Sequence, residues 1–575
     1  MVAITLSSPK STKKKLSVVF KIEDWKRLKP LYEELLHRSL HKLSDLEQWI
    51  LDRNELAAMI EEDFGWRYIR LTTNTNSKSA LKRYEHYIQH LSPNISKYDF
   101  LLNQKLVECP LINQLDHSYF IYIRSIRNEH QLFREQNIER KTEERLLAKK
   151  YGILLADVTI RIDDENYNIQ QINSLLEQSG RTKREQVYRE TATALMSKKG
   201  AFEDVFDELI QIRHEIALEA GFEDFRDYKF KQLGRFDYTT EDCIDFQESI
   251  KQEIIPLVTE VYERKKKRLD LDNLRPWDLV ASGKKYVPLR PFQDDTELIE
   301  KAIQTLQAVD PYFGACIAAM RDRRHLDLEA RKGKRPGGYN MPLAMTGIPF
   351  IFMNASQSIV DMRTFMHESG HAVHSFMTNH LHLITDKQPP SEIAEFAAMS
   401  MELLSMDQWH FFFSSPTDLK RAKIWLLENI LQLLPWIATI DAFQHWIYTH
   451  PKHTAEERRL RWLSILNEFS SPAVDRSDLE ELMSYTWHRQ LHLFEVPFYY
   501  IEYGMAQLGA IALWKNYKEN GRSAIDAYIR ALKLGYSKSI TEVYACAGVK
   551  FDFSPEYVKE LAQFLKQELD LLLES

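Results

Sequence analysis

The stretch His367-Glu368-Ser369-Gly370-His371 decides how this part of the chain folds and what it can do. On an α-helix, at about 100° per residue, the two histidines lie roughly 40° apart and Glu368 falls at the edge of the same face. Neutral imidazole nitrogens suit Zn²⁺, and a catalytic zinc keeps one coordination position open for water. The pattern therefore predicts a metal-binding histidine pair beside a carboxylate that can act as a general base.

The residues around this motif favour a helix with two different faces. Apolar or small residues recur at helical spacing and form a packing stripe, which consists of Ile359, Met362, Met366, Gly370, Val373 and Met377. The neighbouring stripe carries both histidines and His374. Because His374 lies about 10 Å along the axis from His367, too far for the same tetrahedron, we expect it to support a ligand or to face the substrate. The alternative is an ordinary buried helix whose histidines are hydrogen-bonded.

A third ligand is expected from a second helix, because two histidines leave a catalytic zinc one protein ligand short. Pro389-Pro390-Ser391 is a helix-start signal, and Glu392, Glu395 and Glu402 follow it. Glu392 lies in the first turn, where the helix dipole explains it without a metal. Glu395 has small and apolar neighbours, which favours a buried role. The alanines at 397–398 would also allow close approach to the histidine helix.

The composition is that of a large globular protein. The chain has 575 residues, 44% hydrophobic and 28% charged, and a mean hydropathy of -0.41, so we expect no membrane partner. The net charge of -7 argues against nucleic acid as a partner. Residues 1–20 lack the pattern of a signal peptide. The four cysteines have no CxxC spacing and predict neither a zinc cluster nor a disulfide framework, which fits a cytoplasmic location.

Most of the chain is predicted to be helical, with one region that favours strands. Residues 22–304 contain long amphipathic helices, interrupted by a β-branched alternation at 156–163 that predicts a short strand or hairpin. Residues 326–355 predict a small sheet beside the active site, with a strand at 348–353 just before the histidine helix. The glycine-rich stretch 331–339 is either a flexible wall over a cleft or a plain connecting loop.

We expect two lobes. Helical patterns resume at Asp361 and continue to the C-terminus, and no Gly/Ser/Pro-rich linker separates the parts. The predicted division is an N-terminal helical lobe, residues 1–200, and a catalytic helical domain with the zinc site, residues 201–575.

With these motifs the sequence resembles the thimet oligopeptidase and oligoendopeptidase F family of zinc metallopeptidases. The likeness rests on the HExxH motif at 367–371, on the segment Glu395-Phe396-Ala397-Ala398-Met399-Ser400-Met401-Glu402, and on residues 492–504, which look like the family's His and Tyr-x-x-Tyr element. Lesser matches lie at 274–279 and 336–339. The family often has a serine where this chain has Ala398, which removes one hydroxyl near the third ligand.

Carried over to this chain, the resemblance implies that His367, His371 and Glu395 bind one Zn²⁺ per chain and that Glu368 is the general base. It also implies a mainly helical, two-lobed, zincin-like shell around a deep channel, which would admit short peptides and exclude folded proteins.

The resemblance assigns substrate and oxyanion contacts to His492, Tyr500 and Tyr503. A phenol or imidazole N–H aimed at the former carbonyl oxygen stabilises the negative charge that develops there. The choice among Tyr499, Tyr500 and Tyr503 for the oxyanion contact stays open, because the spacing from His492 varies between branches of the family.

We therefore predict a zinc-dependent endopeptidase that cleaves short unfolded oligopeptides with a metal-activated water and Glu368 as base. The strand region 326–353 could pair with the extended substrate. Two alternatives remain, namely a helical zinc carboxypeptidase or dipeptidase that trims chain ends, and a non-catalytic helical scaffold that binds peptides.

Overall fold

The computed structural model describes residues 22–178, 180–281 and 287–574. These residues form 24 α-helices and two small sheets. This confirms the mainly helical class with a small sheet that the sequence predicts. Residues 1–20, which lack the pattern of a signal peptide, lie outside the described part of the chain.

The α-helices and strands are as follows in chain order. The helices are α1 (Trp25–His37), α2 (Leu43–Thr73), α3 (Lys78–His86), α4 (Ser92–Glu108), α5 (Phe120–Leu132), α6 (Asn137–Ala156), α7 (Ile169–Gln178), α8 (Arg181–Ser197), α9 (Lys199–Glu219), α10 (Phe225–Gln232), α11 (Thr240–Ser249), α12 (Ile255–Leu269), α13 (Asp295–Val309), α14 (Pro311–Asp322), α15 (Ile359–Met377), α16 (Ser391–Met406), α17 (Pro416–Thr449), α18 (Ala455–Glu468), α19 (Glu480–Met483), α20 (Leu491–Glu495), α21 (Tyr500–Asn520), α22 (Arg522–Leu534), α23 (Ile540–Cys546) and α24 (Pro555–Glu574). The strands are β1 (Ile160–Ile162), β2 (Glu165–Tyr167), β3 (Leu326–Glu329), β4 (Tyr339–Met341) and β5 (Phe350–Ala355).

The chain divides into two compact units, each assembled from separate segments. Unit 1 contains the described parts of Met1–Gln131, Leu289–Lys423 and Ala506–Phe551, and unit 2 contains those of Leu132–Pro288, Ile424–Met505 and Asp552–Ser575. The predicted lobes 1–200 and 201–575 are continuous in sequence, and that division stays a prediction.

One helix has the length and composition that could cross a membrane. Among the described residues this is α17, which has an apolar window of mean hydropathy 1.2. In the structure, 67% of that window is buried. Core helices of soluble proteins show the same combination, so α17 is weak evidence for a membrane span.

The short strand or hairpin predicted at 156–163 is a hairpin in unit 2, which begins at Ile160 and ends at Tyr167. Strands β1 and β2 pair antiparallel, with Ile160 opposite Tyr167 and Ile162 opposite Glu165. The connection places Asp163 and Asp164 at φ of 50° and 67°, a conformation that aspartate tolerates better than most residues. The alternation of β-branched residues therefore predicted this element correctly.

The three-stranded sheet of unit 1 precedes the histidine helix. Its order is β3-β5-β4, with β5 parallel to β3 and antiparallel to β4. The strand predicted at 348–353 is confirmed as β5, which begins and ends two residues later. β4 forms one edge of the sheet, with Asn340 opposite Ile351.

The basic loop between β3 and β4 is tied to its surroundings. The Lys334 ammonium donates to the backbone carbonyls of Asp327 and Glu329, both at 2.9 Å. The backbone N–H of Arg335 donates to the carbonyl of Thr72 in α2 at 2.9 Å. These bonds favour the plain connecting loop over the flexible wall.

α15 begins at a capping box. The Ser358 hydroxyl accepts a hydrogen bond from the backbone N–H of Asp361 at 3.2 Å, and the Asp361 carboxylate accepts from the backbone N–H of Ser358 at 3.0 Å. Both bonds satisfy N–H groups that a helix start otherwise leaves unpaired. The predicted packing stripe of this helix is buried from Ile359 to Met377.

α15 and α16 approach each other most closely at Gly370. A Cβ added there would lie 2.6 Å from the Cα of Ala398 and 2.9 Å from the carbonyl oxygen of Ala397. The same carbonyl accepts a hydrogen bond from the hydroxyl of Tyr528 in α22 at 2.6 Å, which limits the movement of α16. The close approach predicted from the two alanines is confirmed.

We expect Gly370→Ala to destabilise the protein by about 1–3 kcal/mol, because the added methyl group must push α16 away from α15. The midpoint of urea unfolding measures this. The matched control is Gly200→Ala in α9, where an added Cβ meets no atom within 4 Å; that variant should be as stable as the wild type or slightly more stable. Equal midpoints for both variants would show that the helix contact at Gly370 is not tight.

Candidate metal centre and active site

The side chains of His367, His371 and Glu395 meet in unit 1. One ligand atom from each lies within 4.8 Å of the other two. Glu395 Oε2 is 3.2 Å from His367 Nε2 and 3.9 Å from His371 Nε2. Bonds of about 2.0–2.1 Å at tetrahedral angles separate two ligand atoms by about 3.3 Å. The three side chains therefore fit around one zinc-sized ion after a small adjustment at His371.

The helices explain why these three side chains meet. The imidazole rings of His367 and His371 project from successive turns of α15, with centroids 4.9 Å apart and planes at 88°. Glu395 lies in the second turn of α16 and is 5% exposed. Because Gly370 has no side chain, α16 comes near enough for a glutamate to reach the histidine face.

Glu402 and Arg363 hold His367 in place, a role that the sequence did not reveal. His367 Nδ1 lies 2.7 Å from Glu402 Oε1, and the other oxygen of Glu402 accepts a hydrogen bond from Arg363 Nε at 2.6 Å. A carboxylate on one ring nitrogen fixes the ring and directs the other nitrogen toward a metal. Two spacings in the sequence could have indicated these roles. Glu402 shares a helical face with Glu395, and Arg363 lies one turn before His367.

Burial acts differently on the pKa values of the two histidines. Burial opposes the charged form of His367, but hydrogen bonds to Glu395 and Glu402 outweigh it and raise the pKa of His367 to about 10. For His371, burial dominates and lowers the pKa to about 4, against the influence of Glu395 and a hydrogen bond with the Ala394 backbone. His371 is thus neutral at pH 7, whereas a metal must displace a proton from His367.

Glu368 has the properties of a group that exchanges protons near neutral pH. Burial, followed by the nearby charges of Glu395 and Glu402, raises the pKa of Glu368 to about 7, although His367 acts in the opposite direction. The backbone of Asn340 in β4 also acts to lower this pKa. The Oε2 atom of Glu368 has no hydrogen-bond partner among the described residues. This carboxylate oxygen is therefore available for a proton.

His374 packs into the interior of unit 1. It is 4% exposed, its Nε2 has no hydrogen-bond partner among the described residues, and its helix packs against α22. Burial, with a smaller effect of His371, lowers its pKa to about 3. The sequence predicts that His374 supports a ligand or faces the substrate, and both roles stay predictions.

The predicted substrate-contacting residues form an aromatic cluster in unit 2. The ring of His492 lies 4.6 Å from that of Tyr500 and 6.1 Å from that of Tyr503, between centroids. Tyr499 and Tyr503 are 5.2 Å apart. Burial lowers the pKa of His492 to about 4 and raises that of Tyr500 to about 12. Both groups are neutral at pH 7 and can donate hydrogen bonds.

Gln490 determines which nitrogen of His492 carries the proton. The Oε1 atom of Gln490 is 3.1 Å from Trp436 Nε1, which can only donate, so the amide NH₂ faces His492 Nδ1 at 2.7 Å. Nδ1 is then the acceptor, and the proton lies on Nε2. This arrangement could not be predicted from the sequence, because Trp436 lies in α17, 54 residues before Gln490.

Comparison with known proteins identifies the family. The profile of peptidase family M3 matches residues 174–563, and that of the peptidase M3 N-terminal domain matches residues 17–133. The oligoendopeptidase F homolog of Borreliella burgdorferi is 26% identical over 50% of this chain and 48% of its own length. Oligopeptidase PepF of Bacillus subtilis is 22% identical over 65% of this chain and 57% of its own length. The chain spans about half the length of these curated relatives.

Solved structures extend the match over nearly the whole chain. PZ peptidase A, solved with an inhibitor, has a TM-score of 0.88 and 25% identity over 96% of this chain and 98% of its own. Oligoendopeptidase-F from Enterococcus faecium has a TM-score of 0.65 and 16% identity over 96% and 97%, which shows a similar fold. Because the family profile covers more than half of the sequence, the chain belongs to peptidase family M3.

Proposed function

We propose that this protein is a zinc-dependent endopeptidase that hydrolyses peptide bonds inside short, unfolded oligopeptides. The observation that carries the proposal is the meeting of His367, His371 and Glu395, with Glu368 adjacent to the first of them, in a member of family M3. Relatives named oligoendopeptidase and oligopeptidase support the substrate class. The substrate partner is a short peptide, and a cytoplasmic location remains a prediction.

Zinc suits the donor set of two imidazole nitrogens and one carboxylate. When bound, one zinc ion supplies a Lewis acid for the peptide carbonyl and lowers the pKa of a coordinated water to about 7. His367 is oriented for this ligand role by Glu402, and Glu402 is kept ionised by Arg363. Burial opposes the ionisation of Glu402, but Arg363 and His367 outweigh it and hold the pKa of Glu402 below its ordinary value.

Glu368 is the proposed general base. It receives the proton of the attacking water and later passes it to the leaving amine. Burial raises the pKa of this carboxyl group in the metal-free protein, which strengthens Glu368 as a base. Strand β4 packs against α15, the helix that carries Glu368.

His492, Tyr500 and Tyr503 are the proposed contacts to the substrate carbonyl. Neutral donors stabilise a developing oxyanion without transferring their own protons. The Nε2–H of His492 and the phenol of Tyr500 meet this requirement, since burial keeps both groups neutral. The free edge of β4 is the proposed surface for pairing with an extended peptide, which gives affinity with little side-chain selectivity.

Cleavage of a doubly capped peptide tests this function. We expect the metal-loaded enzyme to cut an internal bond of a peptide with an acetylated N-terminus and an amidated C-terminus, because an endopeptidase needs neither free end. Mass spectrometry of the products identifies the bond. Chelation should abolish the cleavage, and added zinc should restore it.

The matched control is Glu368→Gln, which should retain stoichiometric zinc and lose nearly all turnover. Cleavage of uncapped peptides alone would favour the chain-trimming alternative. A protein that takes up no zinc and cleaves no peptide would favour the scaffold, and full activity of Glu368→Gln would remove this residue from the role of base.

We expect Glu402→Gln to raise the dissociation constant for zinc by about 10–100-fold, because the ring of His367 loses its charged partner. Competition with a chromophoric chelator measures this constant. Glu329→Gln makes the same chemical change at an exposed position of β3 and should bind zinc as the wild type does. Equal affinities for the two variants would show that Glu402 does not support the ligand.

Zinc uptake should release a proton from His367. The pKa of about 10 keeps His367 protonated in the metal-free protein at neutral pH, so binding must displace that proton. The apparent affinity should then weaken about tenfold for each pH unit lowered between about pH 9 and 7. Titration calorimetry in two buffers with different protonation enthalpies measures the number of protons released for each zinc ion bound. The release should shrink in Glu402→Gln; a pH-independent affinity would contradict this account.

A further inference from the structure

A second cluster of potential metal ligands lies in unit 2. It consists of Cys243 on α11 and of Asp441 and His445 on α17, and their ligand atoms all lie within 4.8 Å of one another. Asp441 and His445 are one helical turn apart and share a face. Cys243 is buried and forms no disulfide. This arrangement, two ligands from one helix and one from another, is also that of α15 and α16.

Three polar atoms of Asp441 and His445 have no hydrogen-bond partner among the described residues. The carboxylate of Asp441 is fully buried; its Oδ2 accepts a hydrogen bond from Gln247 Nε2 at 2.8 Å, but its Oδ1 has no hydrogen-bond partner among the described residues. Neither ring nitrogen of His445 forms a hydrogen bond among the described residues, although Nε2 lies 3.3 Å from Asp441 Oδ2. The rings of Phe230 and Phe498 pack against His445 at 5.9 and 5.4 Å. Such unsatisfied polar atoms are rare in folded proteins and require an explanation.

We propose that Cys243, Asp441 and His445 bind a second metal ion, a divalent cation of the zinc type. His445 Nε2 lies 3.3 Å from Asp441 Oδ2, and two ligands of a tetrahedral zinc are about 3.3 Å apart. A thiolate ligand selects zinc, cobalt or a similar metal over magnesium and calcium. The ion gives the imidazole a partner and binds the carboxylate of Asp441, which Gln247 orients through its hydrogen bond to Oδ2.

The ion connects two helices and stabilises a further segment, all of which are far apart in sequence. It links α11 to α17, and the imidazole that it holds packs on Phe498. The backbone N–H of Phe498 donates to Gln444 Oε1 at 2.6 Å, and its φ is 66°. Phe498 stands two residues before Tyr500, so the metal stabilises the segment that leads into α21. The chain then holds one metal more than the single zinc expected from the sequence.

Cobalt titration of the full-length His371→Ala protein tests this site, because that variant lacks a ligand of the first centre. The absorption spectrum of bound cobalt depends on its ligands. Only a thiolate ligand produces an intense charge-transfer band in the near ultraviolet. We expect one equivalent of cobalt to bind with this band. Cys243→Ala in the same background should lose the band, whereas the control Cys546→Ala should keep it.

The wild-type protein provides a second measurement that does not depend on any variant. It should bind two equivalents of cobalt, of which one gives the thiolate band, and its far-ultraviolet circular dichroism should stay unchanged. Zinc should raise the Tm of His371→Ala but not that of the protein that also carries Cys243→Ala. The proposal is wrong if the wild-type protein shows no thiolate band, or if the band survives Cys243→Ala.

Discussion

The approach of α16 to α15 at Gly370 is the constraint on which the metal centre depends. Two histidines one turn apart can point at a common ion, but no other position on that helix face can supply a third ligand to the same tetrahedron. The carboxylate must come from another helix, and its reach is limited to the length of a glutamate side chain. The absence of a Cβ at Gly370, together with the hydrogen bond from Tyr528 to the Ala397 carbonyl, brings Glu395 within that reach.

The charges around the centre prepare it for a cation. Glu368, Glu395 and Glu402 are all buried near the two histidines, and buried carboxylates without compensation are costly. Arg363 compensates Glu402, and in the metal-free protein the proton on His367 compensates part of the remainder. A divalent ion replaces that proton and supplies one more positive charge. The raised pKa values of His367 and Glu368 therefore have a common origin in an excess of buried carboxylates.

The sequence predicted the parts of this protein that rest on local periodicity. The helical class, the hairpin at Ile160–Tyr167, the strand before α15 and the close helix contact at Ala397–Ala398 follow from spacing and side-chain size. The sequence did not predict side chains whose roles depend on contacts between distant segments. Examples are Arg363 with Glu402, and Gln490 with Trp436. The proposed ligand role of Cys243 was not predicted for the same reason, because a search for CxxC spacing finds only metal ligands that are close together in the sequence. The assembly of each unit from separate segments is also a tertiary property without a local signal.

Burial has opposite chemical consequences in the two proposed catalytic elements. At Glu368, burial among other carboxylates raises the pKa to about 7 in the metal-free protein, which favours uptake of a proton. At His492 and Tyr500, burial moves the pKa values to about 4 and about 12, away from neutrality, so these groups keep their charge state. Peptide hydrolysis requires both behaviours, because the base must transfer a proton, whereas an oxyanion donor must retain its own. The same desolvation thus suits Glu368 to proton transfer and His492 and Tyr500 to hydrogen bonding, since the outcome depends on which form of each group is charged.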